Sequence, residues 1–129
     1  TIAKEMDILP TESIIKVERL RIIDNNPIAL QTSYIPTSIV ELKQIEKIYQ
    51  EHSLYKILKD INIYPYKAHE KYNADVLNDQ ETCSMMEMDI GEPVFRVQRY
   101  TYTEDNTLFE YAVSILKGNM YTMEVVLEQ

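Results

Sequence analysis

The stretch Ile14–Tyr34, IIKVERLRIIDNNPIALQTSY, carries β-branched residues in period-two alternation on both sides of Asp24-Asn25-Asn26-Pro27. Alternation of that kind specifies strands rather than a helix, and Asp and Asn tolerate the left-handed backbone that a tight turn needs. A hairpin is the expected outcome. The same plan returns about eighty residues later at Val94–Leu116, VFRVQRYTYTEDNTLFEYAVSIL, which sets Val97 against Val17, Arg99 against Arg19 and Glu104 against Asp24. The approaches match as well, since Met6–Ile14 (MDILPTESI) runs parallel to Met86–Val94 (MEMDIGEPV). Self-similarity at one long period points to a duplicated unit, two hairpins sharing one sheet.

The remaining elements fit around these hairpins. Ile2–Ile8 reads as the end of a helix stopped by Pro10. The first strand covers about Ser13–Ile23, with Ile15, Val17, Arg19 and Arg21 on one face, and the return strand covers about Ile28–Ile35. Thr37–His52 is a helical or irregular crossover with apolar residues at Ile39, Leu42, Ile45 and Ile48. Ser53–Ile61 is a short helix with Ser53 as its N-cap. Tyr66–Val76 is a half-exposed strand, and Asn78–Met88 a helix with Asn78 as N-cap and Glu81 completing a capping box. Gly91 and Pro93 launch the second hairpin, and Gly118-Asn119 turns the chain into a closing strand, Tyr121–Leu127. Hairpin-linked strands with separate helices predict an α+β domain on one mainly antiparallel sheet.

At 129 residues and 45% hydrophobic composition, the chain suits a single domain with a real core. Its formal net charge of −8 repels phosphate backbones and argues against direct contact with DNA or RNA. One cysteine, Cys83, rules out an intrachain disulfide and fits a reducing, cytoplasmic setting. No apolar run is long enough for a membrane span, and no leader pattern is present. The chain opens on Thr1, so a fragment of a longer protein is expected.

Three places can carry chemistry. Arg19 and Arg21 project from one strand face and can grip a phosphate or carboxylate bidentately; the alternative is a solvated strand end paired with acidic neighbours. Ser53 and Tyr55 sit in the first turn of a short helix, where Ser53 either caps the helix or adds a hydroxyl to an anion site. Glu110 alternates with Leu108, Ala112, Ser114 and Leu116, so a carboxylate shares a face with small and apolar groups, either as a hydrogen-bond acceptor for a ligand or as an edge charge. His52 and His69 are far apart with no ligand-spaced partner, and the sequence predicts neither a metal nor a cofactor. Cys83 beside Met85 and Met86 reads as a small core residue. No nucleophile-elbow, P-loop, dinucleotide-binding or zinc-protease motif is present, and no catalytic residue is expected.

These residues resemble a known family. VERLRIIDNNPIALQTSYIP is similar to the strand–turn–strand signature of the UTRA domain, the effector-binding domain of HutC-subfamily GntR-type bacterial transcription regulators. SLYKIL is similar to that family's helix start, and EPVFRVQRYTYTEDNTLFEYAVSILKGNMYTMEV to its C-terminal block, including the Glu110-Tyr111 pair and the Lys117-Gly118-Asn119-x-Tyr121 turn. The resemblance runs from about Ala3 to Leu127. It implies a chorismate-lyase-like fold without catalysis, and a homodimer that senses a small intracellular effector such as a sugar phosphate. DNA would be bound only by a separate N-terminal winged helix-turn-helix. It also implies that Arg19, Arg21, Ser53 and Tyr55 hold the phosphate, with Glu110 on the sugar hydroxyls. Two positions depart from the family: Gln31 stands where Glu is frequent in the ligand site, and Leu116 where Tyr is. The usual first strand is absent too, so an incomplete pocket or a borrowed strand is an expectation. The rival readings are a chorismate-lyase-type enzyme and a dimerisation module with a degenerate pocket.

Overall fold

The computed structural model describes residues 1–40 and 54–128, with residues 54 and 55 described by backbone alone. Both hairpins form. In the first, β1 (Ile14–Ile23) and β2 (Asn26–Pro36) are joined by Asp24 and Asn25, both at positive φ (50° and 65°). This is the mirror-image two-residue turn whose twist matches the flanking strands. In the second, β4 (Pro93–Tyr102) and β5 (Leu108–Lys117) are joined by a longer loop, in which the Thr103 N–H donates to the Thr107 carbonyl at 2.9 Å.

The hairpins share one five-stranded sheet of order β1-β2-β5-β4-β3, where β3 is Lys67–Val76. Every neighbouring pair is antiparallel. The hairpins meet at β2 and β5 in the middle, and β1 and β3 form the two edges. The architecture is the expected α+β class.

Helices cover both faces. On the back, α1 (Ile2–Glu5) and the turn after it set Met6 against Tyr100 and Tyr111, with Ile14 and Tyr34 beside them. The buried Tyr100 hydroxyl donates to the Glu5 carboxylate at 2.5 Å, and burial followed by this bond pushes the phenol's pKa upward. Further along the back, α3 (Gln80–Met86) packs Cys83 against Leu77 and Val94. On the front, α2 (Leu54–Asp60) sets Ile57 and Leu58 against Ile15, Val17 and Ile35. Phe109 joins this front core by an irregularity. Alternation along β5 would place it on the back, but the register steps from Thr101↔Glu110 to Tyr102↔Leu108 and leaves Phe109 as an extra, bulged residue.

Three expectations are corrected. The first helix is one turn, because Asp7 adopts φ 54° and the Ile8 N–H bonds to the Ala3 carbonyl at 3.0 Å, a Schellman stop well before Pro10. The N-cap of α3 is Asp79, not Asn78: its carboxylate accepts from the Thr82 N–H at 3.1 Å and from the Thr82 hydroxyl at 2.5 Å. The closing strand Tyr121–Leu127 does not form. It follows β5, whose two sides are already occupied by β2 and β4, and it pairs with neither edge strand. Apolar residues of this segment stand in solvent, Val126 at 78% and Leu127 at 88% exposure. The Thr37–His52 crossover falls mainly outside the described residues.

The Asp79 cap makes a testable prediction. Hydrogen bonds from the Thr82 hydroxyl first, and then from its N–H, hold the Asp79 carboxyl below the ordinary carboxylate range. A depressed folded-state pKa gives stability that is present above the unfolded pKa and lost as the pH falls through the folded value. Asp79→Ala is therefore expected to melt at a lower temperature than the parent near neutral pH. The gap closes in acid. A gap that stays constant from about pH 7 to about pH 2 contradicts this assignment.

Candidate functional site

Alternation and register together build one wall of side chains across the front of the sheet. Paired positions run Arg19, Gln31, Ser114, Val97 and Tyr72 from edge to edge. The adjacent row on the same face is Val17, Ser33, Ala112, Arg99 and Glu70. Helix α2 covers only the end of this face that holds Ile15 and Val17. Toward Arg21 the face opens into a cleft of about 740 Å³, a size in the range usual for small-molecule sites.

The expected site residues divide. Arg19, Arg21 and Gln31 line this cleft, as does Leu116. The two guanidiniums share the β1 face that carries Val17, which is 1% exposed, into the core. Val17 anchors the strand, and the arginines two and four residues on extend from it over the opening. Glu110 lies on the same face but does not line the cleft. It pairs across the sheet with Thr101, and both are 1% exposed. Thr101 Oγ1 has no hydrogen-bond partner among the described residues. Ser53 lies outside the described residues, and Tyr55 is described only as backbone within α2.

The far wall was not expected from the sequence. Glu70 and Tyr72 of edge strand β3, together with Arg99 of β4, face the arginines of β1 across the cleft. Arg99 Nε and Nη2 donate to Glu70 Oε2 at 3.4 and 3.3 Å, and the Tyr72 hydroxyl donates to the same oxygen at 3.1 Å. Partial burial, and then the bond to Glu70, raise the Tyr72 phenol's pKa, so it remains a neutral donor. Strand alternation places Glu70 and Tyr72 on one face in the sequence. Nothing in the sequence says that β3 joins beside β4, and that placement is what aims them at the cleft.

The other candidates are quiet. His69 sits on the back face with its ring 5.7 Å from that of Tyr100. His52 lies outside the described residues. Cys83 is buried, and burial pushes its thiol up, as for a core residue. Among the described residues, no group of His, Cys, Asp and Glu is arranged to hold a metal ion.

Comparison with known proteins decides the family. The model of the UTRA domain matches residues 1–122. The chain belongs to the UTRA domain family. A curated relative, the HTH-type transcriptional repressor NagR of Bacillus subtilis (strain 168), is 26% identical over 110 residues, 85% of this chain and 44% of the relative. The chain thus spans less than half the length of that relative. Among solved structures, a GntR-family transcriptional regulator from Bacillus cereus superposes with a TM-score of 0.87 at 20% identity, covering 98% of this chain and 87% of that one. A GntR-family regulator from Enterococcus faecalis V583 gives 0.82 at 24%, covering 98% and 88%. The effector domain of PhnF from Mycobacterium smegmatis gives 0.84 at 18%, covering 99% and 78%. At these identities the structures establish a shared fold, the chorismate-lyase-like architecture expected of a UTRA domain. No helix among the described residues is long and apolar enough to cross a membrane.

Proposed function

We propose that this UTRA domain is the ligand-sensing part of a GntR-type transcription regulator, and that its cleft binds a small anionic metabolite, a phosphorylated sugar, through Arg19 and Arg21. The observation that carries the reading is the pair of guanidiniums on one strand face, at the mouth of a cleft whose floor is formed by Gln31, Ser114 and Val97. Planar guanidiniums match phosphate geometry with parallel N–H···O bonds, which a single ammonium does not. Ser53 and Tyr55 complete the phosphate site in this reading, and Glu110, at the α2-covered end of the same face, takes part in reading the sugar hydroxyls, both by family resemblance. The domain works as a homodimer in the cytoplasm. Effector binding shifts the population between two arrangements of the dimer and so changes the DNA affinity of a separate winged helix-turn-helix.

The test is thermal melting of the chain with a panel of sugar phosphates and the matching unphosphorylated sugars. A phosphorylated member is expected to raise the melting temperature in proportion to the logarithm of its concentration, while its parent sugar leaves it unchanged. Equal shifts with both, or none with any at saturating concentration, overturn the reading.

A further inference from the structure

The cleft has two unlike ends. Arg19 and Arg21 stand on edge strand β1, and Glu70 and Tyr72 on the opposite edge strand, β3. Four inter-strand steps separate these edges, roughly 19 Å along the sheet. Long side chains reaching inward from both ends leave room between them for a molecule the size of a hexose phosphate. One end presents fixed positive charge. The other presents an acceptor, because Glu70 Oε2 is occupied by Arg99 and Tyr72 while Oε1 has no hydrogen bond among the described residues.

We infer that Glu70, oriented by Tyr72 and Arg99, is a specificity-determining residue that accepts hydrogen bonds from hydroxyl groups at the non-phosphate end of the ligand. The inference rests on the anion reading above and adds to it a second point of recognition, on a different strand. The ion pair with Arg99 favours hydroxyls over a second cationic group. Arg99 already neutralises the Glu70 carboxylate, with N···O at 3.3 Å. A neutralised carboxylate remains a good acceptor but exerts little net pull on a second cation. Its orientation is also fixed before the ligand arrives, by bonds from two different strands, which lowers the ordering cost of recognition. Tyr72 adds an apolar ring face beside that carboxylate, suited to the C–H face of a sugar.

The experiment titrates glucose 6-phosphate and inorganic phosphate by calorimetry into the parent chain and into Glu70→Gln and Tyr72→Phe. Both substitutions keep shape on an exposed edge strand, and an unchanged melting temperature without ligand verifies the fold. Glu70→Gln is expected to weaken glucose 6-phosphate about 10-fold or more, as for loss of a charged acceptor, and to leave inorganic phosphate unchanged. Tyr72→Phe, which frees the carboxylate from one restraint, is expected to weaken the sugar phosphate by a smaller factor. If both ligands weaken together or neither does, the far wall is a structural ion pair, and the inference is overturned while the anion reading stands. If the parent chain binds neither ligand, this inference falls, and the anion reading falls with it only where the whole sugar-phosphate panel is silent too.

Discussion

Replacing Arg19 and Arg21 together by alanine is expected to abolish measurable binding of a sugar phosphate, a loss of at least about 100-fold. Hydrogen bonds to charged groups contribute about 1.5–3 kcal/mol each, and every 1.4 kcal/mol is tenfold in affinity. Each single substitution should cost about 10-fold or more. Lysine at either position should recover only part of the loss, because a point charge does not reproduce the bidentate fork. The fold should be unaffected, since both side chains extend beyond the buried Val17 and lie over the open cleft. Calorimetric titration with a melting curve beside it checks both halves of the prediction. Full affinity in the double variant would place the anion elsewhere.

The second large effect concerns stability. Phe109 is fully buried, with 0% exposure, in the front core with Ile15, Val17, Ile57 and Leu58. Truncation of a buried Phe to alanine costs about 3–5 kcal/mol, a large fraction of the roughly 5–15 kcal/mol that holds a domain together. Because Phe109 is the bulged residue of β5, it also links the central sheet to α2. Phe109→Ala is expected to lower the urea midpoint sharply and to loosen α2 from the sheet. Phe109→Leu should lose less than half as much. A midpoint within experimental error of the parent's would show that the front core does not depend on this contact.

How much of this was legible in the sequence depends on how local each determinant is. The hairpins were readable because alternation and turn residues act within a few positions: Asp24 and Asn25 supply the positive φ values of their own turn. Arg19 and Arg21 were readable as a pair for the same reason. The far wall of the cleft was not. Glu70 and Tyr72 face Arg19 only because β3 takes the edge beside β4, a non-local choice to which period-two alternation is blind. Phe109 shows the reverse failure, where alternation gives a definite answer and one extra residue in the ladder changes it. The segment Tyr121–Leu127 has the local pattern of a strand, but pattern alone does not form one without a partner strand, and both sides of the preceding β5 are taken. At α3, Asn78 and Asp79 are both good caps, and the reach of the Asp79 carboxylate to Thr82 decides between them.

Arg19 and Arg21 form the proposed phosphate site. Its most direct test is a crystal structure of the chain grown with a hexose 6-phosphate. The phosphorus is expected on the front face of β1, with phosphate oxygens about 2.7–2.9 Å from guanidinium nitrogens of both arginines. The sugar should extend across Gln31 and Ser114 toward Glu70. A ligand bound with its phosphate away from both arginines would contradict this site.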